Sequence, residues 1–183
     1  MRVISLRKYT TYNIHGKGVP EPLYPDELHD LLKQYANKKT YDNSKQIVKN
    51  GKHKANASHA INGKVSEIKE TTIISILPAL KKSFPNLNFR LSGHFIYGPS
   101  DFMGEHTNKD DATEVMYLTY ATGKSKFSYR FSQDEPFIDT YDNIDGLTIR
   151  AFTASAREPY TFHKVDCESG YRVSIGLRYI NIG

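Results

Sequence analysis

The sequence predicts a mainly β fold of the α+β class, a jelly roll with flanking helices, and three observations predict it. Helical periodicity is confined to the first 86 residues. From Leu87 onward, short runs of β-branched and aromatic residues are separated by turn signals. No helical pattern recurs between those runs. A parallel α/β sheet, which needs a helix between successive strands, is thereby excluded. Composition agrees, since the chain is 38% hydrophobic and 12% aromatic, with thirteen Tyr, nine Phe and no Trp. Its 183 residues suffice to bury one continuous core. We expect a single domain over 1–183, with 1–86 as a helical and loop support region and 87–183 as the jelly-roll catalytic core.

Residues 11–24 hold two Gly and two Pro and read as irregular entry structure. Across Pro25 to Asn37, Leu28, Leu31, Leu32 and Tyr35 recur at three- and four-residue steps. Asp26 and Glu27 fall in the first turn, where the helix dipole favours them, so a helix is predicted. Residues 39–66 carry six lysines, one acidic residue and almost no large apolar side chains, which predicts a mobile loop. A second helix is predicted over Thr72 to Phe84, with Lys81 and Lys82 near its C-terminus and Pro78 interrupting its middle. The strand runs that follow are Asn88 to Tyr97, Glu114 to Ala121, Phe127 to Phe131, Leu147 to Ala154, Tyr160 to Val165 and Tyr171 to Ile180. Gly98-Pro99, Gly123, Asp145-Gly146 and Gly170 punctuate them.

The lone Cys167 has no disulfide partner within the chain and argues against a Cys-based zinc site. With no apolar leader and no run approaching a membrane span, a cytoplasmic protein with no membrane association is expected. The formal net charge of +5 favours anionic partners without specifying a fold.

One constellation carries chemistry. Redox-active iron that must also bind a co-substrate and oxygen is commonly held on one face by two His and a carboxylate. Two ligands separated by one residue at a strand end point the same way, and a distant strand supplies the third. His106-Thr107-Asn108 has that spacing, and His163 is the distal partner. Nine residues past His163, Arg172 opens an alternating strand. Tyr171, Val173, Ile175, Leu177 and Tyr179 make one face, and Arg172, Ser174 and Gly176 share the other. An Arg fork beside a hydroxyl suits a bound carboxylate.

The ordered set Tyr97, His106-Thr107-Asn108, His163 and Arg172-Val173-Ser174 resembles the 2-oxoglutarate/Fe(II)-dependent oxygenases, a superfamily with a double-stranded β-helix core that includes prolyl hydroxylases and AlkB-type demethylases. The resemblance covers roughly the last half of the chain. The stretch Phe102 to Asn108, followed by Tyr117 to Ala121, is most similar to small phage-encoded members. The resemblance implies an iron held by His106, Asn108 and His163, and 2-oxoglutarate held through its far carboxylate by Arg172 and Ser174. Tyr97, or Tyr120 or Tyr117, adds a hydroxyl to that carboxylate. It further implies decarboxylation of 2-oxoglutarate to succinate and CO2, coupled through molecular oxygen to hydroxylation or demethylation. The substrate, whether a small molecule, a protein or a nucleic acid, is not identified by these residues, nor is the oligomeric state.

Asn108 stands where the family pattern has Asp, and a neutral amide is the weaker ligand. Asp110 or Asp111 is an alternative source of the missing charge. A second reading is a non-catalytic jelly-roll binding module with a degenerate metal site, and a third is an oxygenase acting on nucleic acid. His15, His29, His53, His59 and His94 lack ligand spacing and read as structural. Arg178 reads as an exposed strand residue, and Cys167 as a small buried one.

Overall fold

The alternation of apolar and polar side chains after residue 87 does build strands, and strands contributed by the N-terminal half join them in one sheet. The computed structural model describes residues 7–52, 57–108 and 113–183. In chain order the elements are β1 (Tyr9–Asn13), α1 (Pro25–Lys33), α2 (Lys38–Asp42), β2 (Lys45–Asn50), β3 (Asn62–Glu67), α3 (Glu70–Ile74), α4 (Leu77–Ser83), β4 (Leu87–Tyr97), β5 (Phe102–His106), β6 (Thr113–Ala121), β7 (Ser125–Arg130), β8 (Ile138–Tyr141), β9 (Gly146–Ala154), β10 (Phe162–Cys167) and β11 (Arg172–Asn181).

Hydrogen-bonded neighbours run β1-β9-β6-β11-β4-β3-β5-β10-β7-β8, and β2 hangs on β3 as a hairpin. β3 is the joint: Ser66 and Glu67 pair with Ile96 and Phe95 of β4, while Gly63 and Lys64 pair with Met103 and Phe102 of β5. The sheet thus folds into two layers, β1-β9-β6-β11-β4 against β5-β10-β7-β8, which is the jelly roll the strand pattern predicts.

Each face of the larger layer has its own core. Outside, Val173, Ile175, Leu177 and Tyr179 of β11 pack with Leu28 and Leu32 of α1 and with Ile73, Ile76 and Leu80 around α3 and α4. Inside, Tyr97, Val115, Phe127, Phe152 and Val165 fill part of the space between the layers. Burying a side chain of this size contributes about 1.5–3 kcal/mol. β4 changes face midway. Gly176 is opposite Gly93 but Leu177 is opposite Leu91, so Ser92 is an extra residue, and this bulge turns Phe95 and Tyr97 inward.

Several expectations are corrected. The segment 39–66 is not a mobile loop: its described residues form most of α2 and the β2–β3 hairpin. Its polar composition hid a strand whose buried positions are Gly63, Val65 and Ser66, two of them too small to register as hydrophobic. Three strands from before residue 87 join the same sheet, so the support region and the core are interleaved. α1 stops at Lys33, four residues early, and the next turn is capped afresh by Asn37, whose side chain accepts from the Thr40 amide. The second predicted helix is two, α3 and α4. Pro78 lies in the first turn of α4, where its missing N–H costs nothing. β1 starts at Tyr9, ahead of the stretch expected to be irregular, and runs into it as far as Asn13, and β5 and β8 lie between the named strand runs.

Candidate active site

His106 and His163 are direct cross-strand partners on β5 and β10, so their side chains leave the same face, and their ring centroids are 4.2 Å apart. Both are buried, 6% and 1% exposed respectively. Beside His106 the ladder bulges, with Gly104 and Glu105 opposite Lys164 alone. Each imidazole is anchored by its Nδ1, to the Gly104 carbonyl at 2.9 Å and to the Thr161 carbonyl at 3.0 Å. A carbonyl only accepts, so Nδ1 carries the proton and Nε2 presents its lone pair. Burial pushes the His106 imidazole down to about 4, opposed by its bond to Gly104 and assisted by the nearby His59 and Lys49. Burial and the neighbouring His106 likewise push His163 down. A neutral pair with outward lone pairs is the form a metal ion requires.

Asn108 lies just beyond β5 in the left-handed region, φ 55°, a conformation Asn tolerates better than most residues. Its amide Nδ2 donates to the Tyr117 hydroxyl at 2.8 Å and is 3.3 Å from His163 Nε2. Two donors at a right angle, each roughly 2.1 Å from one ion, lie about 3 Å apart, so this separation suits a shared cation. A half-turn of the amide would bring Oδ1 to that position, and the Tyr117 hydroxyl, donor and acceptor both, suits either orientation. Asp110 and Asp111 lie outside the described residues. Among the described residues, no group of three His, Cys, Asp or Glu side chains gathers for a metal.

The histidines open into a cavity of ≈ 210 Å³ between the layers. Arg172, Ser174 and Gly176 line it, as the alternation of β11 predicts, and so do Tyr97 and Tyr117. Tyr120 does not. It is three residues from Tyr117, hence on the opposite face, where its ring meets His29 edge-on at 5.1 Å. Arg178, expected at the surface, and His59, expected to be structural, also line the cavity, together with Lys49. His29 and His94 are held by backbone carbonyls of Asp145 and Ile68, consistent with structural roles. His53 is outside the described residues, and Cys167 is a buried free thiol pushed up to about 11 by burial.

Arg172 is 1% exposed, and its Nε donates to Asp142 Oδ2 at 2.8 Å. Nη2 is 3.4 Å from Thr119 Oγ1, and Nη1 has no partner among the described residues. The guanidinium lies over the Tyr97 ring at 5.1 Å. Asp142 also accepts from Ser125 and from Arg150, which is wholly buried. Burial raises the Asp142 carboxyl, but Arg172, Arg150 and Ser125 together outweigh it and hold the group well below the usual carboxylate range. Sequence reasoning missed Arg150 and Asp142. The available signal was a charged residue inside the run Leu147 to Ala154, both of whose neighbours are apolar.

A buried guanidinium nitrogen left without a partner inside a cavity is costly unless an anion arrives, so the donor set suits a carboxylate ligand next to a cation. No family model matches this chain, and no curated protein does. Among solved structures, a Pseudomonas putida prolyl-4-hydroxylase matches over 92% of this chain and 94% of its own, at 14% identity and a TM-score of 0.50. The likeness is one of fold. A Burkholderia pseudomallei oxidoreductase of the 2OG-Fe(II) oxygenase family matches over 94% and 95% at 10% identity and a TM-score of 0.44. The Drosophila melanogaster CENP-C cupin domain matches over 85% and 97% at 8% identity and a TM-score of 0.36.

Proposed function

We propose that this chain is an Fe(II)- and 2-oxoglutarate-dependent oxygenase whose substrate is not yet identified. One observation carries the reading: two anchored imidazoles line a cavity together with a buried guanidinium whose Nη1 has no partner among the described residues. His106, Asn108 and His163 would hold the metal. Arg172, with Ser174 and Tyr97 beside it, would hold the far carboxylate of the co-substrate. When bound, the iron and 2-oxoglutarate supply oxidative decarboxylation to succinate and CO2, with oxygen insertion into a C–H bond. The chain's own residues bind and orient. Gly104 and Thr161 fix both imidazoles, Tyr117 steadies the Asn108 amide, and Phe95, Met103, Phe127 and Val165 line the cavity with apolar surface that limits water.

Anaerobic addition of Fe(II) and 2-oxoglutarate should give the visible charge-transfer band of the chelate, and His106→Ala should abolish it. Absence of both the band and succinate formation with the wild-type protein would overturn the reading. A second reading, a jelly-roll binding module with a degenerate metal site, is favoured by the amide at Asn108. Asn108→Asp separates the two. A carboxylate should raise metal affinity in either case, so succinate decides: a degenerate site should form none as wild type, whereas a site that works through its amide should form succinate as wild type and gain no activity from the substitution.

A further inference from the structure

Behind the cavity, three charged side chains are sealed from water: Arg150 and Asp142 at 0% side-chain exposure and Arg172 at 1%. Each guanidinium nitrogen of Arg150 has a partner. Its Nε donates to Thr140 Oγ1 at 2.8 Å, its Nη2 to the Thr140 carbonyl at 2.8 Å, and its Nη1 to Asp142 Oδ1. Asp142 therefore spends one oxygen on Arg150 and the other on Arg172 Nε and Ser125 Oγ. One carboxylate facing two guanidiniums leaves a buried positive charge uncompensated within the triad. That excess falls on Arg172, whose side chain lines the cavity and whose Nη1 has no partner among the described residues. Without Arg150, Asp142 and Arg172 would form a neutral pair, and an incoming anion would gain little.

We propose that Arg150 is a positioning residue for the cavity's anion seat: by taking half of Asp142 it leaves Arg172 with an unbalanced charge and its Nη edge toward the cavity, so that the site selects carboxylate-ended ligands over neutral ones. The proposal deepens the co-substrate reading and rests on it for the identity of the ligand. It assigns the residue no contact with that ligand. Arg150 acts only through Asp142 and Arg172.

The test is calorimetric binding of 2-oxoglutarate and of 2-oxobutyrate, which keeps the oxo-acid end but lacks the far carboxylate, to Mn(II)-loaded protein. Wild type should prefer 2-oxoglutarate. Arg150→Met should lose roughly tenfold or more for 2-oxoglutarate, the order expected on removing a unit charge from a buried cluster near the ligand, and leave 2-oxobutyrate unchanged. Arg150→Lys should recover part of the loss. Where wild type binds 2-oxoglutarate, equal affinity of Arg150→Met for it, or equal losses for both ligands, overturns the proposal. Should Arg150→Met not fold, Thr140→Val, which deletes one hydrogen bond to Arg150, is expected to show the same ligand-selective loss at smaller amplitude, and a non-selective change overturns the proposal. Thermal shifts with succinate, which needs no metal, run in parallel. Arg150-dependent stabilisation by succinate without any 2-oxoglutarate chelate would keep this proposal and remove the co-substrate reading. Succinate stabilisation that ignores Arg150, or none, removes the proposal.

Discussion

Acid should unfold the metal-free protein through its paired histidines, and the size of the effect follows from their burial. The His106 imidazole titrates near 6.5 in an unfolded chain and near 4 in the fold. Its folded pKa is depressed, so its contribution to stability is complete above about pH 6.5 and is lost as pH falls through about 4. That depression corresponds to about 3 kcal/mol at full protonation, most of it lost by pH 4.5. His163 is shifted the same way and adds to the loss. The assay is urea unfolding of chelator-treated protein near pH 7 and near pH 4.5, with His106→Gln alongside. Wild type should lose more stability than the variant by about 2 kcal/mol. Parallel pH profiles for the two proteins would refute the reasoning, because carboxylates common to both would then account for all of the acid sensitivity. The same depression keeps both nitrogens available to a cation well below neutral pH.

Asn108→Asp should raise Mn(II) affinity about tenfold or more, since a charged oxygen replaces an amide at the same reach, and calorimetry reads it directly. Leu177→Ala, in the helix-facing core, should cost about 2–5 kcal/mol by urea unfolding while leaving anion affinity per folded molecule unchanged, because its side chain is on the far face of β11. Gly176→Val should fold but bind metal more weakly. A Cβ there meets Ser92 Oγ at 2.9 Å and Tyr117 Cε1 at 3.0 Å, displacing the phenol that holds Asn108, and an unchanged Mn(II) affinity would contradict this.

The sequence made the β-rich half legible because its strands are buried on one face by large apolar residues, so period two shows as plainly as it does from Arg172 to Arg178. His106, His163, Arg172 and Ser174 could be selected because strand alternation alone fixes which way each points, and all four line one cavity. The β2–β3 hairpin was illegible because backbone pairing, rather than apolar side chains, recruits it. Tyr120 was misplaced by counting it with Tyr117 despite an odd separation. The face change at Ser92 needs a partner strand to be seen at all. Arg150 and Asp142 were missed because a buried guanidinium is recognisable only once its counter-charge, eight residues away in the chain, is brought beside it.

β11 has a consequence for how relatives of this chain can diverge. Its even residues from Arg172 to Arg178 line the cavity and its odd residues pack with the helices, so one inserted or deleted residue between Arg172 and Arg178 would exchange the two sets together. Length variation in this strand is therefore doubly penalised, whereas point substitutions affect one side at a time. Drift in size should accumulate instead in connections such as the one joining β2 to β3, where no such exchange of sides occurs.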